Sequence, residues 1–275
     1  MKNNIQYLDD KAKSIKKSIL KMGANQKAIH LGGGMSCVEI LVSLYFEILN
    51  HDHNNPNWLE RDRFILSKGH AVIALYATLA ECGYFPKSLL ETFKEFQSPL
   101  QGHPDKLSLS SIEMSTGSLG QGLSVGIGLA ISAKLSKESY KAYVLLGDGE
   151  LNEGQVWEAA MAASNFKLDN LLAIVDRNQL QLDGRTEDIM KLEPLIDKWL
   201  AFGWYVLETN GHSYDDLISA FNKAKSIKNK PVVLIAHTIK GKGLSCFENM
   251  VNCHSVKLNN CDLGKCLDLI DNYPI

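Results

Sequence analysis

Four short apolar runs alternate with helical patterns along the second half of the chain. The runs are rich in Val, Ile, Leu and Tyr, and they cover residues 142–149, 170–178, 204–210 and 231–239. Helical patterns lie between or before these runs, at 39–49, 70–83, 154–166 and 213–227. Strands that are apolar on both faces and alternate with helices are typical of a parallel sheet covered on each side. The sequence therefore predicts an α/β fold, a doubly wound parallel sheet with helices on both faces.

The 275 residues are interpreted as a single domain, 1–275, because no linker, repeat or low-complexity tract interrupts this alternation. A hydrophobic content of 45% is enough to bury a sizeable core. Apolar residues from Leu8 to Met22 recur at helical spacing, which predicts an amino-terminal helix at about 5–22. A carboxyl-terminal tail is expected at about 255–275.

The charge and the hydrophobic pattern exclude several kinds of partner. A formal net charge of −2 gives no electrostatic basis for binding nucleic acid or an anionic membrane. The amino-terminal residues lack the continuous apolar segment of a secretory signal, and no apolar stretch is interpreted as long enough to cross a bilayer. These features predict a cytoplasmic protein with no nucleic-acid partner and no membrane partner.

The six cysteines form no C-x-x-C pair, and four of them crowd into the last thirty residues. Free thiols in a reducing cytosol are the preferred interpretation. A zinc site built from these four cysteines and His254 is the alternative, although the spacings match no common zinc finger.

Gly147-Asp148-Gly149 ends one apolar run, and Asn178 ends the next run, thirty residues later. That separation is the length of one β-α-β unit, whose right-handed crossover brings both strands into one sheet. Because open parallel sheets bind ligands at the carboxyl ends of their strands, we expect Asp148 and Asn178 to converge. Their oxygens suit a hard divalent cation, and the glycines allow a phosphate to approach closely. The alternative is a tight turn in which Asp148 caps a helix.

Longer stretches of the chain resemble transketolases. The segment GDGELNEGQVWEAAMAASNFKLDNLLAIVDRN (147–178) is similar to the fingerprint of thiamine diphosphate enzymes. Further segments that resemble transketolase sequences, in the order of that family, lie at 61–85, 102–105, 114–132, 192–217 and 237–254. The resemblance covers nearly the whole chain, but only the amino-terminal third to half of a full-length transketolase. It implies a thiamine diphosphate-binding (PP-type) domain from a transketolase whose two halves are encoded separately.

The resemblance also implies which residues hold the metal ion and the cofactor. Asp148, the side chain of Asn178 and the main-chain oxygen of Leu180 are implied as ligands of Mg²⁺ (or Ca²⁺). The residues implied to contact thiamine diphosphate are Gly149, His70, Lys240 and His254 at the diphosphate, and Gly117, Ser118 and Leu119 at the two rings. For Lys240 the alternative is an exposed loop lysine.

Histidines suit proton transfer on sugar hydroxyls because their pKa lies near neutrality. The resemblance implies this catalytic role for His30, His103 and His254. A lone histidine is more often structural, but four of the eight histidines fall in matching motifs. Glu153 resembles a glutamate that links paired active sites through a carboxylate network, which implies a secondary catalytic role. The alternative for Glu153 is a carboxylate at the start of a helix.

The implied function is that of the N-terminal subunit of a transketolase. Such an enzyme transfers a two-carbon ketol unit from a ketose phosphate to an aldose phosphate with Mg²⁺ and thiamine diphosphate, as in the pentose phosphate pathway. The family also uses a glutamate against the pyrimidine ring of the cofactor, and that glutamate belongs to the other half. The resemblance therefore implies a separately encoded C-terminal, pyrimidine-binding subunit, an α2β2 assembly, sugar-phosphate substrates, and an isolated chain without activity.

Two other functions stay open. One is a related thiamine diphosphate-dependent ketol transferase or synthase in a specialised sugar or secondary-metabolite pathway, or one similar to 1-deoxyxylulose-5-phosphate synthase. Two departures from the family pattern keep it open, since KAIHLGGG around His30 lacks the usual proline and Cys253 stands where tryptophan is common. The other is a catalytically degenerate partner domain with a regulatory or structural role, against which the intact Asp148 and Asn178 argue.

Overall fold

A computed structural model describes residues 2–24 and 27–273 of the chain. Five strands form one sheet in which every neighbouring pair is parallel. The strands are β1 (Arg63–Leu66), β2 (Ala142–Gly147), β3 (Leu171–Arg177), β4 (Tyr205–Asn210) and β5 (Val232–His237). Their order across the sheet is β1-β2-β3-β5-β4, so that β3 lies at the centre.

Helices connect these strands and flank the sheet. The α-helices in the described residues are α1 (Lys2–Met22), α2 (Leu31–Met35), α3 (Val38–Ser43), α4 (Val72–Glu81), α5 (Gln121–Ser136), α6 (Gly154–Asn165), α7 (Thr186–Ile189), α8 (Leu195–Ala201), α9 (Tyr214–Ser226) and α10 (Asn260–Asp271). Shorter helical segments are a π-helical one at Leu44–Ile48 and 3₁₀ segments at Gly69–Ala71, Lys87–Thr92, Gly149–Asn152 and Val251–Cys253.

Both faces of the sheet are covered by apolar layers. Successive residues of a strand point to opposite faces. In β2, accordingly, Tyr143 and Leu145 pack in one layer while Val144 and Leu146 pack in the other. Helices α1, α3, α4 and α9 contribute to the first layer, and α5, α6 and α8 contribute to the second. The predicted doubly wound parallel sheet with helices on both faces is therefore confirmed.

Helix α5 lies very close to the sheet because two of its three glycines face it. A Cβ atom on Gly122 would lie 2.9 Å from the Cα of Ser67, and one on Gly126 would lie 2.5 Å from a methyl group of Val144. Real Cβ atoms do not approach other atoms so closely, so these positions need glycine. This close packing places the loop before α5 over the carboxyl edge of the sheet.

Some elements differ from the sequence-based expectation. The patterns did not predict β1, because Arg63–Leu66 has only four residues and directly follows three charged ones. The predicted helix at 39–49 is divided into the α-helix Val38–Ser43 and the π-helical segment Leu44–Ile48. Within the expected tail, α10 buries Cys266 and Ile270 in the first apolar layer. The division into one domain stays a prediction.

The expectation that no apolar stretch is long enough to cross a bilayer is wrong for one segment. Leu31–Ile48 has the length and the mean hydropathy, 1.4, of a membrane-spanning helix, and it is the one such segment in residues 2–24 and 27–273. Within the fold, 89% of this segment is buried. Its apolar character is therefore accounted for by packing in the first layer.

Candidate active site

A cavity of about 340 Å³ lies at the carboxyl edge of the sheet. Strands β2, β3 and β5 are neighbours there, since Gly147 pairs with Asp176 and Arg177 pairs with His237. The chain segments that follow these strands consequently leave the sheet side by side. The predicted site residues that line this cavity are His70, Gly117, Leu119, Asp148, Gly149, Glu153, Asn178, Leu180, Lys240 and His254.

Asp148 lines this cavity, and its side chain is almost fully buried. Its Oδ1 accepts a hydrogen bond from the amide of Gly149 (2.8 Å), and its Oδ2 accepts one from the amide of Gln179 (2.5 Å). The alternative of a helix cap is thus also realised, since Asp148 caps the 3₁₀ segment Gly149–Asn152. The same carboxylate still faces the cavity, so the two interpretations are compatible.

The charge of Asp148 is only partly balanced. Burial, together with the negative charge of Asp176, raises the pKa of Asp148 to about 6. The guanidinium of Arg177 acts in the opposite direction, and its Nη1 lies 3.3 Å from Asp148 Oδ2. However, Arg177 is also bound to Glu187 (3.0 Å) and Glu193 (2.9 Å), so its charge is shared among three carboxylates. A further cation beside Asp148 would favour the ionised carboxylate.

Asn178 and Leu180 line the cavity together with Asp148. The spacing predicted this for Asn178, and the resemblance implied it for Leu180. The Oδ1 of Asn178 accepts a hydrogen bond from the amide of Leu180 at 3.1 Å. The carbonyl oxygens of Leu180 and Gln181 accept hydrogen bonds from the ammonium of Lys240, at 3.1 and 3.2 Å. Lys240 is buried, so it is not an exposed loop lysine. The carbonyl that was predicted to bind a metal ion therefore already faces a positive charge.

Four histidines form one cluster next to the cavity. The ring centroid of His30 lies 5.3 Å from that of His70, 5.3 Å from that of His254 and 6.4 Å from that of His103. His70 and His254 are 5.3 Å apart and both line the cavity. The structure thus brings together the four histidines that the sequence motifs singled out, although they come from four separate segments.

The environment of the cluster keeps its imidazoles neutral. Burial and the charge of Lys68 lower the pKa of His70 to about 2, while burial and the charge of Lys240 lower the pKa of His254 to about 4. Burial, followed by the charge of Lys94, also lowers the pKa of His30 and of His103. At neutral pH each ring therefore offers one N–H donor and one acceptor nitrogen.

The residues predicted to border the cofactor rings are unequally placed. Gly117 and Leu119 line the cavity, whereas Ser118 is exposed and does not line it. A Cβ atom on Gly117 would lie 3.2 Å from the ring of His103, which keeps this wall close to the histidine cluster. Glu153 is exposed at the cavity rim and occupies the N-cap position of α6, but its side chain forms no capping hydrogen bond. Its predicted role stays a prediction.

A buried ion pair that no sequence motif indicated supports the site. Lys68 and Asp176 are both fully buried and form a salt bridge. Lys68 also donates to the carbonyl of Gly33 (2.8 Å), and Asp176 accepts from the hydroxyl groups of Ser36 (2.6 Å) and Thr238. The sequence offered one local signal, the position of Asp176 near the end of a predicted strand, because Lys68 follows the unpredicted β1 and the two partners are 108 residues apart.

Glu150 is a third buried, charged residue at the site that no sequence motif indicated. It is buried, burial raises its pKa, and its carboxylate accepts hydrogen bonds from the amides of Gly120 and Gly147, each at 2.9 Å. It also accepts from the hydroxyl group of Ser67. These contacts tie the loop before α5 to the ends of β1 and β2. The Gly-Asp-Gly-Glu motif contains Glu150, but nothing in the motif shows that this carboxylate turns inward.

The zinc alternative finds no support in the structure. Within the described ranges, 2–24 and 27–273, no group of three or more His, Cys, Asp or Glu residues has an arrangement that could hold a metal ion. All six cysteines are free. The predicted magnesium site is of a different kind, because two of its three oxygens come from an amide and a main-chain carbonyl.

Comparison with known proteins identifies similar domains. The sequence model of the family described as "Transketolase, thiamine diphosphate binding domain" matches residues 11–267. One of the separate subunits of the apulose-4-phosphate transketolase of Phocaeicola vulgatus is 46% identical over 250 residues, which are 91% of this chain and 89% of that subunit. The 6-deoxy-6-sulfo-D-fructose transketolase subunit of a Clostridium species is 45% identical over 251 residues, 91% of each chain.

A solved structure gives the same result in three dimensions. The transketolase of Campylobacter jejuni matches with a TM-score of 0.90 and 32% sequence identity. The match covers 97% of this chain but 43% of that transketolase. In length, the chain therefore corresponds to the separate subunits and to less than half of the longer enzyme.

Proposed function

The chain belongs to the transketolase family as an N-terminal, thiamine diphosphate-binding subunit, and we propose that a separately encoded C-terminal subunit completes its active site. The resemblance inferred from the sequence is confirmed, and the alternatives of a related synthase or a degenerate domain are not favoured. The reaction is the thiamine diphosphate-dependent transfer of a two-carbon ketol unit. The observation that carries the proposal is the convergence of Asp148, Asn178 and Leu180 on one cavity that His70 and His254 also line. His30 packs against both of these histidines, and His103 packs against His30.

For the metal ion we propose Mg²⁺ (or Ca²⁺), held by Asp148, Asn178 and the carbonyl oxygen of Leu180. A carboxylate, an amide oxygen and a carbonyl oxygen form a donor set that hard cations prefer. The raised pKa of Asp148 supports the assignment, because a buried carboxylate with incomplete charge balance favours a cation. In the structure, the carbonyl oxygen of Leu180 accepts a hydrogen bond from Lys240, so a metal ion bound to that oxygen would displace the ammonium. Lys240 would then hold the diphosphate together with His70, His254 and Gly149.

When bound, thiamine diphosphate supplies the carbon that carries the two-carbon unit between sugars. The protein residues hold protons around that reaction. Because His30 and His103 are neutral, each can donate a hydrogen bond to one sugar oxygen through N–H and accept a proton at its second nitrogen. His254 is also neutral, but its Nδ1 accepts from Lys240, so it would offer the N–H at Nε2. The apolar side chain of Leu119 lines the same cavity and offers a flank for the cofactor rings.

The second subunit is proposed to carry the pyrimidine-binding domain, in an α2β2 assembly. The names of the relatives, which are subunits, support a separate partner. The described residues contain one parallel sheet, and its cavity is open at Glu153 and near the exposed Ser118. A second chain on that side would close the cavity around the cofactor.

We propose that the donor is a ketose with an anionic group at its far end. One relative is named for a phosphorylated sugar and the other for a sulfo sugar, which supports an anionic substrate. Lys94 also supports an anionic substrate. Its charge lowers the pKa of His30 and His103, the two histidines of the cluster that do not line the cavity, so a cation is available near them. A cytoplasmic location and a role in the pentose phosphate pathway stay predictions.

The test is reconstitution with the partner subunit. We expect the purified chain alone to be inactive with xylulose 5-phosphate and ribose 5-phosphate, and the complex to be active. In the complex, Asp148→Asn should abolish Mg²⁺-dependent binding of thiamine diphosphate in a calorimetric titration, since the amide keeps the size of the side chain but removes its charge. The surface variant Asp183→Asn is the matched control. Unchanged cofactor affinity in Asp148→Asn would refute the metal assignment, and normal turnover by the isolated chain would refute the proposed partner.

A further inference from the structure

The segment that follows β5, residues 238–241, places Lys240 in the cavity. The imidazole of His212, which lies outside the cavity, binds the backbone of this segment. The amide of Ile239 donates a hydrogen bond to Nε2 of His212 at 2.8 Å. Main-chain bonds hold the backbone on both sides of Ile239: Thr238 donates to Arg177 at 3.2 Å, and the carbonyl of Lys240 accepts from Asn249 at 2.9 Å. Further along, Gly241 donates to Gly32 at 3.1 Å. His212 is therefore the side chain that fixes the middle of this segment.

The hydrogen bonds of His212 also define its tautomer. Because Nε2 accepts from a backbone amide, the ring hydrogen is on Nδ1, which donates to Glu39 at 2.9 Å. The other oxygen of Glu39 accepts from Lys16 at 2.6 Å, and both side chains are buried. Burial by itself would raise the pKa of Glu39, but Lys16 and His212 hold it at about 2. The carboxylate thus stays charged and keeps the imidazole oriented.

The position of Ile239 determines where the next side chain enters the cavity. Lys240 is buried, and its ammonium lies 3.1 Å from the carbonyl oxygen of Leu180 and 3.2 Å from Nδ1 of His254. A shift of the backbone at Ile239 would move the ammonium relative to both partners. His212 itself does not line the cavity.

We propose that His212 is a positioning residue for the cofactor site, which sets the place of Lys240 by accepting the hydrogen bond of Ile239. Glu39 and Lys16 hold the imidazole in the orientation that this task requires. The inference rests on the proposed function, because it takes Lys240 as a ligand of the diphosphate.

Alanine is a poor probe of this role. His212 borders a second cavity, of about 290 Å³, which Lys13, Lys16 and Lys242 also line. Water from that cavity could replace a deleted imidazole at the amide of Ile239. Glutamine and asparagine substitutions instead distinguish the contact of His212 with Ile239 from its contact with Glu39. In His212→Gln, the carbonyl oxygen reaches the place of Nε2 and can accept from Ile239; in His212→Asn, the amide nitrogen takes the place of Nδ1 and keeps only the bond to Glu39.

The experiment measures the affinity of the complex with its partner subunit for thiamine diphosphate, by calorimetry at fixed, saturating Mg²⁺. We expect His212→Asn to weaken binding about three- to tenfold, the effect of one lost hydrogen bond. His212→Gln should stay within about twofold of the wild type, because it retains that bond. His237→Gln is the control, since His237 ends β5 directly before this segment, is half exposed, and contacts only Glu208 among the hydrogen bonds described for its side chain.

The outcomes separate the inference from the proposed function. If the wild-type complex did not bind thiamine diphosphate, the proposed function would fail. If the wild type bound it but both variants bound equally well, or if His212→Gln were the weaker binder, the positioning role of His212 would be wrong. Urea unfolding of each complex, with equal midpoints for the two variants, excludes a general loss of stability as the cause.

Discussion

The ion pair between Lys68 and Asp176 should be the strongest single electrostatic contact of the site. Both side chains are at most 2% exposed, so neither charge has water to solvate it if the other is removed. Removing one partner of such a pair typically costs about 3–5 kcal/mol of folding free energy. Lys68→Met keeps the length of the side chain and removes its charge. Two hydroxyl donors, from Ser36 and Thr238, still bind Asp176 in that variant, so we expect the lower end, about 3 kcal/mol.

The partner variant and the double variant test the same reasoning. Asp176→Asn keeps one acceptor oxygen but removes the negative charge that balances the ammonium of Lys68, whose other described acceptor is the neutral carbonyl of Gly33. It should therefore cost at least as much, about 3–4 kcal/mol. The double variant Lys68→Met/Asp176→Asn removes both charges. It should cost at least about 2 kcal/mol less than the two single variants together, because no uncompensated charge stays buried.

Urea unfolding followed by circular dichroism measures these free energies at pH 7. The slope of the unfolding free energy with urea concentration should stay constant across the four proteins, which shows that the compactness of the states is unchanged. Lys134→Met is a suitable control, because its salt bridge to Asp169 is partly exposed and such pairs contribute about 0–1 kcal/mol. Additive single effects, within about 0.5 kcal/mol, would show that Lys68 and Asp176 do not depend on each other and would refute the argument.

Two further predictions concern acid stability and packing. His70 and His254 have pKa values lowered below the ordinary 6.5, so they contribute stability at pH above 6.5 that is lost as the pH falls. The unfolding free energy should therefore decrease below pH 6.5 by up to about 1.4 kcal/mol per pH unit for each histidine. Urea unfolding at pH 7, 6 and 5 measures this dependence, and His254→Asn should make it less steep. An equal pH dependence in the variant and the wild type would contradict the prediction. Gly122→Ala should destabilise the chain by about 1–3 kcal/mol, because its new methyl group would meet Ser67. Gly128→Ala on the same helix, with nothing within 4 Å, should instead be neutral or stabilise it by up to about 1 kcal/mol in the same assay, and equal effects of the two variants would contradict the packing argument.

The sequence predicted the parallel sheet and the convergence of Asp148 with Asn178 because both depend on local order along the chain. Alternating strands and helices determine a parallel sheet, and one β-α-β unit determines that two successive strand ends meet at one edge. The histidine cluster is different. His30, His70, His103 and His254 lie in four segments with no fixed spacing, so only the resemblance to a family could group them.

Buried charges could not be predicted in this way. A lysine or an aspartate at a strand end is usually solvated, and only the partner shows that it is buried. For Lys68 that partner is 108 residues away, and for Glu39 and His212 the separation is 173 residues. The same holds for Glu150, whose amide partners belong to the loop before α5 and to the end of β2.

These buried contacts indicate which side of the cavity this chain forms and which side the proposed partner subunit would form. The Lys68–Asp176 pair, the amide contacts of Glu150 and the His212–Ile239 bond all lie within this chain. The side of the cavity that we propose to hold the metal ion and the diphosphate is therefore formed by residues of this chain. The opposite side is open, with Ser118 exposed and Glu153 at the rim lacking a capping bond. We therefore expect the partner subunit to contribute mainly to the ring-binding side. A preformed diphosphate side also reduces the entropy that cofactor binding must overcome, because fewer side chains have to be ordered when the complex closes.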